Sequence, residues 1–88
     1  MTFLGRPVPP AFELRIVAVD PGGEHLYDAA EWAGAVVGVE AGEISLECVR
    51  GTRCAFARGS VLALSGLPLR ALVNRGAEPA VLAAVYRA

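Results

Sequence analysis

The sequence predicts an all-β domain, a small barrel or jelly roll of short antiparallel strands. Runs of four to eight residues rich in Val, Leu and Ile recur along the chain, each closed by Gly, Pro or Asn. Such runs at a spacing of about 8 to 12 residues mark a sandwich or a barrel. The segment "GEISLECVRG" alternates Ile44, Leu46 and Cys48 against Glu43, Ser45 and Glu47. That period of two gives one face to an interior and the other to solvent.

In chain order, residues 1–11 form a Pro-rich arm, because "RPVPP" lacks ladder donors and reads as extended. Residues 12–88 form the domain. "FELRIVAV" alternates Phe12, Leu14 and Ile16 against Glu13 and Arg15, as a half-buried strand does. "DPGG" turns the chain at 20–23. Strands are then predicted over 35–40, 43–49, 53–57, 61–64, 69–74 and 80–87. Two segments compete as helices. "DAAEWAGA" opens with Asp28 and Glu31 in capping-box positions. "EPAVLAAVYRA" sets Pro79 at a first helical position, although Val81, Val85 and Tyr86 favour a strand.

The chain is 88 residues long, one domain, and 55% hydrophobic, with a mean hydropathy of +0.48. A chain this short buries only about 60 to 65% of the surface its unfolded form exposes. So apolar a composition leaves an apolar face for a partner, and a homodimer is expected. The longest uncharged runs are too short to span a bilayer, so a membrane is not expected as a partner. Net charge is −1, every base is Arg, and no basic stripe exists, which argues against nucleic acid. The start "MTFLGRPVPPAFE" lacks a cationic segment before an apolar core, so a cytoplasmic location is expected. Cys48 and Cys54 flank "VRGTR" and would face each other across a three-residue turn. In a reducing compartment they are expected as two buried free thiols rather than a disulfide.

Gly59, Ser65, Leu67, Arg70 and Asn74 fall at the spacing of a known motif. The stretch resembles the second motif of the cupin superfamily, which reads Gly, Pro, Gly, His and Asn there. Gly59 and Asn74 match, the Pro is Ser65, the second Gly is displaced to Gly66, and the metal-binding His is Arg70. Upstream, Gly23 and Gly42 fit the ends of the first cupin motif, whose ligand positions then hold Ala29, Glu31 and Ala35. Asn74 corresponds to the turn-stabilising Asn of that family.

What the resemblance implies is a cupin barrel with its metal ligands replaced, and hence no metal and no cofactor. Alanine coordinates nothing, and a protonated arginine repels a cation. In the cupin register Arg70 and Glu31 both point inward, while Tyr27, Asp28 and Trp32 bracket the barrel entrance. A buried charge needs a partner. Arg70 therefore pairs with Glu31, or offers its planar fork to a carboxylate or phosphate, or lies at the mouth or surface. The ligand-binding candidates are Arg70, Glu31, Tyr27 and Trp32, and His25 is expected on the surface or in a turn.

Two functions follow from these residues. One is a metal-free small-molecule-binding or accessory protein that takes an anionic ligand without turnover. The alternative is a metal-independent isomerase, epimerase or cyclase working by acid–base chemistry through Glu31, Asp28, Tyr27 or His25 at the barrel mouth. No nucleophile elbow, phosphate loop or Ser-His-Asp set is present, so no catalytic residue is assigned.

Overall fold

The chain reverses at Gly42 with φ +70°, where a Cβ would lie 2.5 Å from the carbonyl oxygen of Pro79. Only glycine fits both that conformation and that approach. This turn carries the chain from one sheet into the other. The computed structural model describes residues 2–87. Its elements are β1 (Thr2–Phe3), β2 (Arg6–Pro7), β3 (Phe12–Val19), β4 (Glu24–Leu26), α1 (Ala29–Trp32), β5 (Val36–Ala41), β6 (Glu43–Cys48), β7 (Arg53–Ala57), β8 (Val61–Leu62), β9 (Leu69–Val73) and β10 (Ala80–Arg87). Two four-stranded antiparallel sheets, ordered β3-β10-β5-β8 and β4-β9-β6-β7, pack face to face. They do not close into a continuous barrel, so β3, β8, β4 and β7 remain edge strands.

The arm is more than extended chain. β1 and β2 pair as a short ladder, and Phe3 lies on Gly38, where a Cβ would come within 2.8 Å of its ring. Of the two helix candidates, Asp28 opens a single turn, and 80–87 is the strand that its β-branched residues favoured. Cys48 closes the β6–β7 turn by donating its N–H to the Thr52 carbonyl at 2.8 Å. Cys54 therefore faces Leu46, and the cysteines sit diagonally rather than opposite. Both are free; Cys48 is half-buried, and Cys54 is exposed rather than buried.

The inner faces meet in one core that includes Trp32, Val37, Val39, Ile44, Leu46, Leu72 and Leu82. In β6 Ile44 and Leu46 lie inside as the alternation predicts, but Ser45 and Glu47 are buried too, so the other face is not open to solvent. In β3 it is the other face that turns inward. Arg15, Val17 and Val19 align with Ala84, Leu82 and Ala80, whereas Ile16 is 54% exposed. Val17 and Val19 continue the parity of Arg15, so turning them inward turns Arg15 to the same side, where its side chain remains 42% exposed.

β9 departs from simple alternation as well. Glu47 pairs with Ala71 but Cys48 pairs with Leu69, which leaves Arg70 without an opposite residue. Such a slip re-aims a side chain. Arg70 accordingly reaches Glu24 (3.1 Å) and Glu47 (3.0 Å), whose positions share the outer face with Val73 and Ala71. Glu47 also bonds Arg75 and is 9% exposed. The guanidiniums of Arg75 and then Arg70 hold its carboxyl below the usual range. The hydrogen bonds that Arg70 donates to Glu24 and then to Glu47 raise its own pKa in turn.

Asn74 is fully buried and joins segments that no ladder joins. Its Nδ2 donates to the carbonyls of Val19 (2.9 Å) and Glu78 (2.7 Å), and its Oδ1 accepts from Gly76 N–H at 2.9 Å. Its backbone pairs with Gly22 and Gly23.

Two outcomes follow. Asn74→Ala strands the Val19 and Glu78 carbonyls, at a cost on the order of 2–4 kcal/mol. A denaturant midpoint within error of wild type would remove Asn74 from its central place. Glu47 has a folded-state pKa below its unfolded value near 4.5. Its contribution is therefore fully present above that value and is lost as pH falls through the lowered one. Glu47→Gln should lower the melting temperature at neutral pH, and the gap from wild type should close in strong acid. A gap independent of pH would contradict the ion-pair account.

Candidate functional site

The site forms where β3, β4, α1 and β10 meet. Asp28 caps α1, its Oδ1 accepting from Ala30 N–H at 3.0 Å. Glu31 does not complete the capping box. Its carboxylate instead approaches His25 Nε2 at 2.8 Å and Arg15 Nη2 at 3.0 Å. His25, from β4, stands edge-on to Trp32, with ring centroids 5.9 Å apart. Trp32 ends the turn with no exposed surface.

Arg15 lies among aromatic faces. Its guanidinium carbon is 5.2 Å from the Trp32 ring centroid and 5.7 Å from that of Tyr86. Each contact within about 6 Å contributes roughly 0.5–2 kcal/mol, more where water is excluded. The Tyr86 hydroxyl donates to the Glu31 carbonyl at 2.6 Å. Burial raises this phenol above its ordinary value near 10, so it stays a donor at neutral pH.

Three buried donors here have no hydrogen-bond acceptor: Arg15 Nε, Arg15 Nη2 and Trp32 Nε1. Nη2 is close enough to Glu31 for an ion pair, but its N–H directions miss the carboxylate. A buried donor left unpaired costs about 1–3 kcal/mol. The cleft beside them, about 480 Å³, is lined by Glu13, Leu14, Arg15, Ala30, Glu31 and Tyr86. A larger cleft of about 560 Å³ near Gly42, Arg58 and Glu78 has none of these donors on its walls.

Of the residues singled out from the sequence, Glu31 and Trp32 come together here. Tyr27 is a brace: its hydroxyl donates to the Leu64 carbonyl at 3.2 Å and its N–H to the Arg70 carbonyl at 2.9 Å. Arg70 is on the outer face with Glu24 and Glu47, so of the three alternatives it takes the surface one, and no Arg70–Glu31 pair forms. His25 is neither on the open surface nor in a turn but on β4, bonded to Glu31. Arg15 and Tyr86 went unrecognised in the sequence, because the apolar alternation of β3 points to the opposite face.

The residues do not fit a cupin metal. Ala29 and Ala35 offer no donor, and Arg70 lies outside the core. Arg15 brings positive charge to the only neighbourhood where His25 and Glu31 meet. Among the described residues no three His, Cys, Asp or Glu side chains cluster.

No protein-family model and no curated protein matches the sequence. Solved structures do match in fold. A Cupin 2 conserved barrel domain protein from Salinispora arenicola is 24% identical, with TM-score 0.61 over 96% of this chain and 71% of that one. A cupin domain from Bordetella pertussis is 17% identical, with TM-score 0.62 over 93% and 86%. A sugar phosphate isomerase from a cupin superfamily, from Silicibacter pomeroyi, is 23% identical, with TM-score 0.61 over 96% and 54%. With the two-sheet architecture and the Gly42, Gly59 and Asn74 frame, these likenesses identify the fold of this chain as the cupin fold.

Proposed function

We propose that this chain is a metal-free cupin that binds a small organic anion, a carboxylate or phosphate ester, at Arg15. The observation that carries this reading is Arg15 on the wall of the cleft, with Nε and Nη2 lacking acceptors. An anionic oxygen is the strongest acceptor for a guanidinium. Glu13 and Glu31 on the same cleft repel a bare anion and accept hydrogen bonds from hydroxyl or amino groups. The favoured ligand thus carries one anionic group and several hydroxyls. A sugar phosphate is of this kind, and one neighbour of the fold is described as a sugar phosphate isomerase. The protein acts in the cytoplasm, in keeping with its free thiols. No helix is long and apolar enough to cross a membrane.

A second reading rests on His25 Nε2 and Glu31 Oε1, 2.8 Å apart beside the same cleft. Such a pair shuttles protons, and it supports a metal-independent isomerase or epimerase.

The two readings share a ligand and part at turnover. Ribose 5-phosphate at about ten times its Kd should stabilise the protein by roughly 1.4 kcal/mol, a rise of several degrees in Tm. Arg15→Gln should abolish that rise, and Arg70→Gln, on the far face, should leave it. No rise with ribose 5-phosphate or citrate would sink the anion site. Deuterium entering bound ribose 5-phosphate from heavy water, lost in Glu31→Gln, would decide for the enzyme. Binding without exchange decides for the accessory protein.

A further inference from the structure

We propose that Cys48 and Cys54 form a two-coordinate site for a soft monovalent cation, Cu(I), in the cleft at the β7 edge of the sandwich. The two thiols belong to one face of the β6–β7 hairpin. Cys54 stands opposite Leu46, and Cys48, two residues further along β6, shares the parity of Leu46. Both cysteines line an apolar cleft of about 200 Å³, whose other walls include Leu46, Phe56, Leu67 and Leu69. Both are free thiols, Cys48 half-buried and Cys54 open to solvent.

The separation of the thiols decides what they can hold. Diagonal partners on an antiparallel pair lie about 7–8 Å apart at Cα, whereas a disulfide closes over about 4.4–6.8 Å. The hairpin resists the shift that a disulfide would need. Cys48 donates its N–H to the Thr52 carbonyl at 2.8 Å, and its own carbonyl accepts from Gly51 N–H at 2.9 Å, with Gly51 at φ +92°. A metal ion between two sulfurs reaches further. Bonds of the zinc–thiolate length, about 2.3 Å, set the sulfurs up to about 4.6 Å apart, against about 2.05 Å in a disulfide. Among the metals that thiolates select, zinc takes four ligands and an iron–sulfur cluster four cysteines. Among the described residues no third His, Cys, Asp or Glu joins the pair. Cu(I), a soft closed-shell ion of single charge, is satisfied by two thiolates. On binding, each thiol gives its proton to water and each sulfur gives a lone pair to copper, which is neither oxidised nor reduced. The bound unit carries one negative charge. Arg53 lines the same cleft without an ion-pair partner among the described residues, and its guanidinium offsets that charge. The site lies apart from the cupin ligand positions and shares no residue with the cleft at Arg15, so it stands or falls independently of the anion site.

Competition for Cu(I) against bicinchoninate, on the reduced full chain under nitrogen, tests the site. The wild-type chain should take up one Cu(I) per molecule. Cys54→Ser, at an exposed position, should fold with an unchanged β-sheet circular dichroism spectrum. It should weaken Cu(I) binding by more than the roughly 100-fold lost when a mere neighbour of a metal ligand is changed. Cys48→Ser should do the same, and Cys54→Ser alone decides should Cys48→Ser fail to fold. Arg53→Gln should keep the stoichiometry and weaken binding about 10-fold. A wild-type chain that leaves Cu(I) with bicinchoninate overturns the proposal. Undiminished binding by Cys54→Ser assigns the copper to other donors and overturns it equally. One Cu(I) per two chains makes Cys54 a bridge between copies rather than half of this site. An internal disulfide that forms in air before copper is added refutes the spacing, and the site with it.

Discussion

Asn74 is the constraint on which the rest of the architecture hangs. A two-sheet fold without closure must hold its ends together by something other than ladders. Here one buried carboxamide bonds the end of β3 through Val19, the approach to β10 through Glu78, and the turn between them through Gly76. Its backbone meets the β3–β4 turn at Gly22 and Gly23. Glutamine would overreach, aspartate would lose the donor, and alanine would leave two carbonyls dry. Gly42 stands under the same restriction, pressed against Pro79 just before β10 begins. The two-sheet corner and the asparagine staple thus meet at one end, and the polar cluster lies among strands whose spacing that end fixes.

With the frame held, the placement of charge is decided by strand parity. Two arginines exchange the roles that alternation suggests. Arg70 sits in the most apolar stretch and ends outside, because β9 takes one more residue than β6 at that point. Arg15 sits in a strand whose apolar residues favour the other face, and turns to the inner side, half-exposed, because Val17 and Val19 share its parity. Each inversion has its compensation. Outside, Glu24 and Glu47 receive Arg70; inside, Trp32, Tyr86 and Glu31 surround Arg15. The same parity in β3 turns Leu14 and Ile16 outward, so Arg15 beside the rings and Ile16 on the outer face have a common cause.

That common cause also marks what was legible in the sequence. The all-β class, the inward Ile44 and Leu46, the Asp28 cap and the Gly42, Gly59 and Asn74 frame rest on local rules of period, capping and turn chemistry. They appear in the structure where those rules put them. The site depended on register, which is not local. A single slip between Glu47 and Cys48 redirects Arg70, and nothing in "LPLRALVN" announces it. The ligand positions 29, 31 and 35 were counted as though they lay along the strand of a metal-binding barrel, yet Ala29 to Trp32 form a helical turn. Glu31 reached the site because that turn aims it at His25, and Tyr86 because it follows the inward Ala84 by two residues.

A tethered cation differs physically from a bound metal ion. A divalent cation in an apolar core is held by ligands from several strands, and losing them loses the charge. A guanidinium is a cation tethered by its own chain, needing no ligand set and always protonated. It is also planar and weakly hydrated, so two ring faces and one carboxylate suffice to hold it where an ammonium would demand water. Arg15 therefore holds a positive charge against the inner-face rings while its side chain stays 42% exposed. The cost is that its N–H groups point where the rings cannot accept them. In the anion-binding reading the ligand offsets that cost: its oxygens supply the acceptors that Trp32, Tyr86 and Glu31 do not, and the affinity arises from donors already desolvated before it arrives.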